Sequence, residues 1–457
     1  MWVARFHWQT ADDLAEIVAD VKAMGANAIF FQVRGEADAF YASRSEPWSA
    51  RLTGTLGRDP GWDPLQVMLD RAHAAGLEVH AWINTYSAWR GESPPPHSQP
   101  EHVLNAHPDW VAVDSAGNPR PPGAEYVALS PGNPAVQQHI LDVVVDVVSR
   151  YDVDGVHFDY VRYSGRDFSY DGVTKQRLAS PTDNPRGLSR ADWQREQVTE
   201  LVRRAHATVK AIKPRVQVSA AVWGVYRNPW GWPIKNTGYD TYCQDSRGWL
   251  REGIVDFVVP MTYWQIGGMP DFVATVRDFL GATYGRGVYP GLGVFQKWAT
   301  WDEVKAQIEL ARSQGAGGVV LFSYPEALRL KGQLAGVWST PAATPWSASP
   351  SPTGATASAT PSPTPGPVAT TAPAPTQPAP DQTAPTAVPA QPTAAPVDAG
   401  VGDLARPAAE GGPAASSGWP IYGAAAGAVA VGVAGVLSRR RAAAWWRALS
   451  GSWRRGD

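Results

Sequence analysis

The sequence predicts an α/β protein built as a closed barrel of eight parallel strands, each followed by a helix, and three observations point there. Short runs with strand-like alternation recur near 2–6, 27–33, 78–84, 154–160, 216–223, 256–263, 288–294 and 317–323. Between them lie stretches with helical spacing, among them 11–24, 64–75 and 134–151, and no hairpin signal joins consecutive strands. Three of the strands carry polar residues along one face. Parallel strands buried on both sides read as almost unbroken apolar runs, so these faces imply a shared polar interior. The pattern is that of the (β/α)8 TIM-type barrel, whose chemistry sits at the carboxyl ends of the strands.

The first strand lies in WVARF, and the helix after it starts behind Thr10, a residue type that caps helix N-termini. In NAIFFQVR, alternation puts Phe30, Gln32 and Arg34 on one face against Ile29, Phe31 and Val33 on the other. In LEVHAWIN, His80, Trp82 and Asn84 oppose Val79, Ala81 and Ile83. The fourth strand, GVHFDYVRY, places His157 and Asp159 on one side and Val156, Phe158 and Tyr160 on the other, with Arg162 and Tyr163 just beyond its end. A buried carboxylate costs several kcal/mol unless it is paired or does chemistry. Asp159, Arg34, Asn84, Trp223, Tyr263 and Tyr324 fall at or near the carboxyl ends, whereas Asp154 and Asp256 stand at strand starts and read as structural. A satisfied place in the core is the commoner fate of a histidine such as His157.

Connections at the functional end are long: 85–133, 164–191 and 224–250. Their Trp, Tyr and Pro content suits the ordered walls of a cleft. Of 21 tryptophans, Trp89, Trp110, Trp230, Trp232 and Trp264 sit in loop positions, where they either pack under the loops or stack on sugar faces. The net charge of -2 gives no general attraction to nucleic acid. A single cysteine, Cys243, excludes an intrachain disulfide and any multi-cysteine metal site. Phe6-His7-Trp8 offers one imidazole rather than a His-x-His pair, and the nine histidines show no ligand spacing, so neither metal nor cofactor is expected.

Several blocks in order resemble the glycosyl hydrolase-like 10 family of bacterial proteins: WVARF, NAIFFQVRGEADAFYASRSEPWS, HAWINTY, HPDWVAVD, LSPGNPAV, DGVHFDYVRY, GYDTYCQDSRGWLREGIVDFVVPMTYW and GVVLFSY. The resemblance covers about 2–335. It implies a TIM-type barrel acting on glycans, with bacterial cell-wall glycan strands as the expected substrate. Asp159 matches the family's acidic residue after the fourth strand, and Arg34, Asp38 and Tyr41 match its second-strand block.

The chemistry this implies is glycosidic hydrolysis by two carboxyl groups, one protonated to assist the departing oxygen and one ionised. Asp159 is the first choice for the acid, with Asp38 as leading partner and Glu326 and Glu36 in reserve. The bland alternatives are that Asp38 pairs with Arg34 and that Glu326 caps the helix after it. Gln32, Arg34, Tyr41, Trp82, Asn84, His157, Arg162, Tyr163, Trp223, Tyr263, Trp264 and Tyr324 are the expected substrate contacts. The alternative function is a glycan-binding barrel without catalysis.

The barrel domain is expected to span 1–338. From 339 to 417 repeated Pro, Ala, Thr and Ser predict a disordered linker. The stretch 418–438 is uncharged and rich in Ala, Val and Gly, long enough for one transmembrane helix, and Arg439, Arg440 and Arg441 open a basic tail at 439–457. Positive residues favour the cytoplasmic side, which places the barrel outside the membrane. Export needs an amino-terminal signal, yet Trp2 already belongs to the first strand, so the expectation is that the true start lies upstream or that this sequence is a fragment.

Overall fold

A computed structural model of the chain describes residues 1–121 and 126–338, together with Ala342 and Thr344. Apart from those two residues, the expected linker, apolar span and basic tail lie outside the described residues. No helix among the described residues is long and apolar enough to cross a membrane.

Beside a small antiparallel pair, Ser87–Trp89 with Val127–Ala128, the barrel strands are β1 (Trp2–Val3), β2 (Ala28–Arg34), β3 (Glu78–Asn84), β4 (Gly155–Asp159), β5 (Gln217–Trp223), β6 (Phe257–Met261), β7 in two pieces (Gly287–Val288 and Gly291–Gly293) and β8 (Val320–Phe322). They pair in chain order and all in parallel. The ring is nearly closed: Trp2 of β1 meets Phe322 of β8 at 5.7 Å between ring centroids, but no ladder joins the two strands. β7 is interrupted at Tyr289 and Pro290, where proline has no N–H to give the ladder.

At least one helix follows each strand, and those that matter here are α1 (Ala11–Ala23), α2 (Pro64–Ala74), α3 (Pro134–Arg150), α4 (Arg190–Ile212), α5 (Ser246–Glu252), α6 (Phe272–Leu280), α7 (Trp301–Ser313) and α8 (Tyr324–Leu328). Local chemistry sets their starts. The Thr10 hydroxyl accepts from the Asp13 N–H while the Asp13 carboxylate accepts from the Thr10 N–H, a reciprocal cap that satisfies two orphan donors. α2 and α3 begin with a proline behind Asp63 and Asn133, whose side chains accept from backbone N–H groups of the first turn.

Alternation along the strands divides the apolar side chains into two layers. Ile29, Phe31, Val33, Val79, Ala81, Ile83, Val156 and Phe158 face the helices, while Trp2, Phe30, Trp82, Phe257, Val259 and Val320 fill the barrel. The interior is therefore a packed plug below a mouth at the carboxyl ends.

Candidate active site

β4 brings Asp159 to that mouth, level with Asn84 of β3. Asp159 is 8% exposed; its Oδ1 accepts from the Tyr160 N–H at 2.6 Å and lies 3.5 Å from Arg162 Nη1. Burial raises its carboxyl above the ordinary range, and the Arg162 charge only partly offsets that. Arg162 is itself walled by aromatics: its Cζ is 4.5 Å from the Tyr160 ring, 5.6 Å from Tyr242 and 5.9 Å from Trp223. Tyr263 completes this side, stacked on Phe322 at 5.5 Å, with its phenol pushed well up by burial and then by the Asp159 charge.

A second acidic group stands beyond Tyr160. Its ring meets Tyr126 at 5.2 Å, and the Tyr126 hydroxyl accepts from Arg5 Nη2 at 3.0 Å. The same Nη2 donates to Glu36 Oε1 at 2.8 Å, and Glu36 Oε2 accepts from the Arg90 N–H at 3.1 Å. Burial raises the Glu36 carboxyl against the pull of Arg5, and the charge of Asp38 adds to the rise. Asp38 is also buried, with Oδ1 accepting from the Glu36 N–H at 2.7 Å. Gly35 is required here, because a Cβ would meet Arg5 Nε at 2.6 Å and Cδ at 2.7 Å.

Both acidic clusters adjoin a strained backbone. Ala37, before Asp38, and Tyr160, after Asp159, have φ of 55° and 50°. Non-glycine residues in this region cost on the order of 1–3 kcal/mol and gather where a fold holds groups for function.

Several expected contacts stand elsewhere. Arg34 was expected on the Gln32 face, but a bulge between the two pairs Gln32 with Trp82 and Arg34 with Ile83, turning Arg34 outward. Its guanidinium is buried on Glu46, with Nε at 3.0 and 2.8 Å and Nη2 at 2.7 Å, and it also donates to the carbonyls of Asn84 and Thr85. Burial pushes the Glu46 carboxyl up, but Arg34 and His139 outweigh it and hold it at about 2. The pairing of Asp38 with Arg34 is thus replaced by Glu46. Tyr41 and Tyr163 are buried in the layer beneath the helices, and Tyr324 turns out to α1, where its hydroxyl donates to Asp20 at 2.7 Å. Glu326, in the first turn of α8, accepts from the Ser323 hydroxyl at 2.7 Å, a contact between side chains that leaves the expected helix cap unmade.

His157 is a satisfied interior histidine. It accepts from Trp2 Nε1 at 3.1 Å and pairs through Nδ1 with Ser219 at 2.9 Å, and burial keeps it neutral, its pKa well below the ordinary value. Gln32 is fully buried, accepting from the Arg5 N–H at 3.1 Å, and Asn84 donates to the Gly35 carbonyl at 3.1 Å. Trp82 lies in the interior layer beneath Asp159. Trp223 anchors the loop after β5 by donating to the Asn236 carbonyl at 3.0 Å, and half-buried Trp264 packs against Gly224, where a Cβ would meet its ring at 2.6 Å. The residues brought together at the mouth are therefore Asp159, Arg162, Trp223, Tyr263, Asn84 and Asp38.

Glu36, held in reserve as a second acid, joins them, and so do Arg5, Tyr126 and Tyr160, for which the sequence held little or no warning. Alternation assigned Tyr160 to the outer face, which its left-handed backbone overturns. Tyr126 lies in a long connection with no period to read. Arg5 had one signal, a charge at the end of an otherwise apolar strand.

A nearly closed parallel barrel with buried carboxyl groups, arginines and aromatics at its carboxyl end defines the class. Within it, the chain belongs to the glycosyl hydrolase-like 10 family, whose model matches residues 1–277. It is 35% identical over 275 residues to glycosyl hydrolase YngK of Bacillus subtilis, an alignment covering 58% of this chain and 50% of that protein. It is 36% identical over 256 residues to glycosyl hydrolase DigH of Escherichia coli K12, covering 53% of this chain and 55% of the relative. The chain thus spans about half the length of these curated relatives. Its fold is similar to the glycoside hydrolase domain of PgaB (BpsB) from Bordetella bronchiseptica, with a TM-score of 0.53 and 15% identity over 74% of this chain and 97% of that one.

Proposed function

We propose that the barrel hydrolyses O-glycosidic bonds of a polysaccharide, with bacterial cell-wall glycan strands as substrate. The observation that carries this is Asp159: a carboxyl group held at the strand end among aromatics, raised by burial and so suited to stay protonated until it gives its proton to the leaving oxygen. The ionised partner is drawn from Asp38 and Glu36, which share one corner of the mouth. Glu326, engaged with Ser323, is the weaker candidate. Tyr263 and Trp223 supply flat faces for sugar rings.

The apolar run at 418–438 and the arginines after it support a barrel tethered outside the cell membrane. A second reading, a glycan-binding barrel without turnover, is favoured by one feature: both Glu36 oxygens are already engaged by Arg5 and Arg90. Reducing-end release from glycan strands by wild type and by Asp159→Asn decides between them. Release by wild type, lost in the variant, supports hydrolysis; binding without release by either protein supports the module.

A further inference from the structure

We propose that Trp230 and Trp232 form a stacking platform, outside the mouth, that holds a second stretch of the same glycan chain, so that long strands bind more tightly than short fragments; this rests on the glycan reading above. Both lie in the loop that joins β5 to α5, at the same end of the barrel as Asp159. Their rings stack at 4.2 Å between centroids and 17° between planes. Trp230 is 36% exposed, and neither ring is among the residues packed on the hydrophobic core.

The other loop tryptophans have work within the fold. Trp89 donates to the Ser93 carbonyl at 2.7 Å and meets His102 edge-on, Trp110 stacks on His107 at 4.0 Å, and Trp264 packs against Gly224. Trp230 and Trp232 differ: neither indole N–H has a hydrogen-bond partner among the described residues.

The loop fixes the pair without help from the core. Asn228 clasps Trp232 at two points, donating from Nδ2 to its carbonyl at 2.7 Å and accepting from its N–H at 3.1 Å. Gly231, between the two rings, has a φ of 68°, and a Cβ there would meet nothing within 4 Å, so the turn and not crowding calls for glycine. Below the tip the two limbs are joined by the Gly238 N–H to the Val225 carbonyl at 2.9 Å and the Tyr239 N–H to the Tyr226 carbonyl at 3.0 Å. The bond from Trp223 Nε1 to the Asn236 carbonyl ties the return limb to the mouth. A surface shaped before binding loses little entropy when it is occupied.

Apolar rings left in water are stabilised by a partner that covers them. This platform is only two rings wide, and exposed Arg227, Lys235 and Asn236 flank it along the loop. A narrow apolar face with polar edges matches a pyranose ring, which carries C–H groups on its faces and hydroxyls around its rim. A protein or lipid partner calls for a broader apolar patch.

The test compares binding at two strand lengths. Peptide-free cell-wall glycan strands, long or cut to tetrasaccharides, are titrated by calorimetry into Asp159→Asn, with and without Trp230→Ala and Trp232→Ala. Removing both rings is expected to weaken long-strand binding about five- to tenfold and to leave tetrasaccharide affinity unchanged. Trp230→Ala alone is expected to show part of that loss, and it decides the matter if removing both rings unfolds the protein. Long-strand affinity unchanged without the rings, an equal loss at both lengths, or no binding of long strands to any form overturns the platform. Capture by phospholipid vesicles that depends on the pair, with long strands unaffected, assigns the rings to a membrane surface and overturns it too. A wild type that holds long strands through the pair yet releases no reducing ends removes only the hydrolase reading.

Discussion

The two ends of the barrel use the same side chain in opposite ways. At the amino ends of β4 and β6, Asp154 and Asp256 each accept a backbone N–H from the preceding strand, Val79 and Val218, both at 2.7 Å. Each also meets a basic group, His73 at 2.9 Å for Asp154 and Lys210 at 2.8 Å for Asp256. These carboxylates staple strand to strand. Asp159, at the other end of β4, is bonded to its own neighbour's N–H and meets Arg162 only at 3.5 Å, so burial outweighs both in setting its pKa. A carboxylate whose donors compensate its burial stabilises the fold; one whose burial outweighs its donors has its pKa raised.

The sharpest way to break this contrast is Asp159→Asn. Turnover should fall by about 10² to 10⁴-fold. The thermal midpoint should hold or rise, because Asn fills the same space and carries no ionisable group for burial to penalise. A variant that loses both fold and activity would put Asp159 with the staples.

Glu46→Gln should produce the largest loss of stability, about 3–5 kcal/mol in denaturant unfolding, since it leaves the Arg34 charge buried without its partner. The pH dependence follows from the same pair. Glu46 is depressed from 4.5 to about 2 in the folded state, so its contribution is fully present above about 4.5 and is lost as pH falls towards 2. Acid melts of wild type should show that slope, and those of the variant should lack it.

Asp154→Ala and Asp256→Ala should each cost about 1–3 kcal/mol, the effect of leaving a strand N–H without its acceptor, while kcat of the folded protein is unchanged. A fall in kcat without a change in stability would contradict the division between the two ends. The smallest expected effect is on pH dependence. Arg162 lowers the Asp159 pKa, so Arg162→Gln lets it climb further, and the alkaline limb of kcat/KM should move to higher pH. Movement the other way would mean that Asp159 is not the proton donor.

The barrel was readable because its signals are local and repeated. Strand and helix periods alternate, Thr10 and the Asp63–Pro64 step mark helix starts, and Asp154 and Asp256 sit where chain direction alone makes them structural. Asp159 was readable for the same reason, as a charge inside a buried strand. Arg34 was not, because a single-residue bulge reverses the face of everything after it and leaves no trace in the polar–apolar pattern. Tyr324 misled in a similar way: it stands at the right end of β8, but its side chain runs out to Asp20 on α1.

By itself, then, the sequence determined the order of strands and helices, and that Asp159 stands with other polar groups at the carboxyl end of the barrel. These depend on side-chain periodicity and chain direction, which are properties of neighbouring residues. Only the tertiary structure decided which charges meet: Arg34 with Glu46 beneath the helices, Arg5 with Glu36 and Tyr126 at the mouth. Those partners come from distant segments, and the free energy that selects among them arises when burial removes water from both members of a pair.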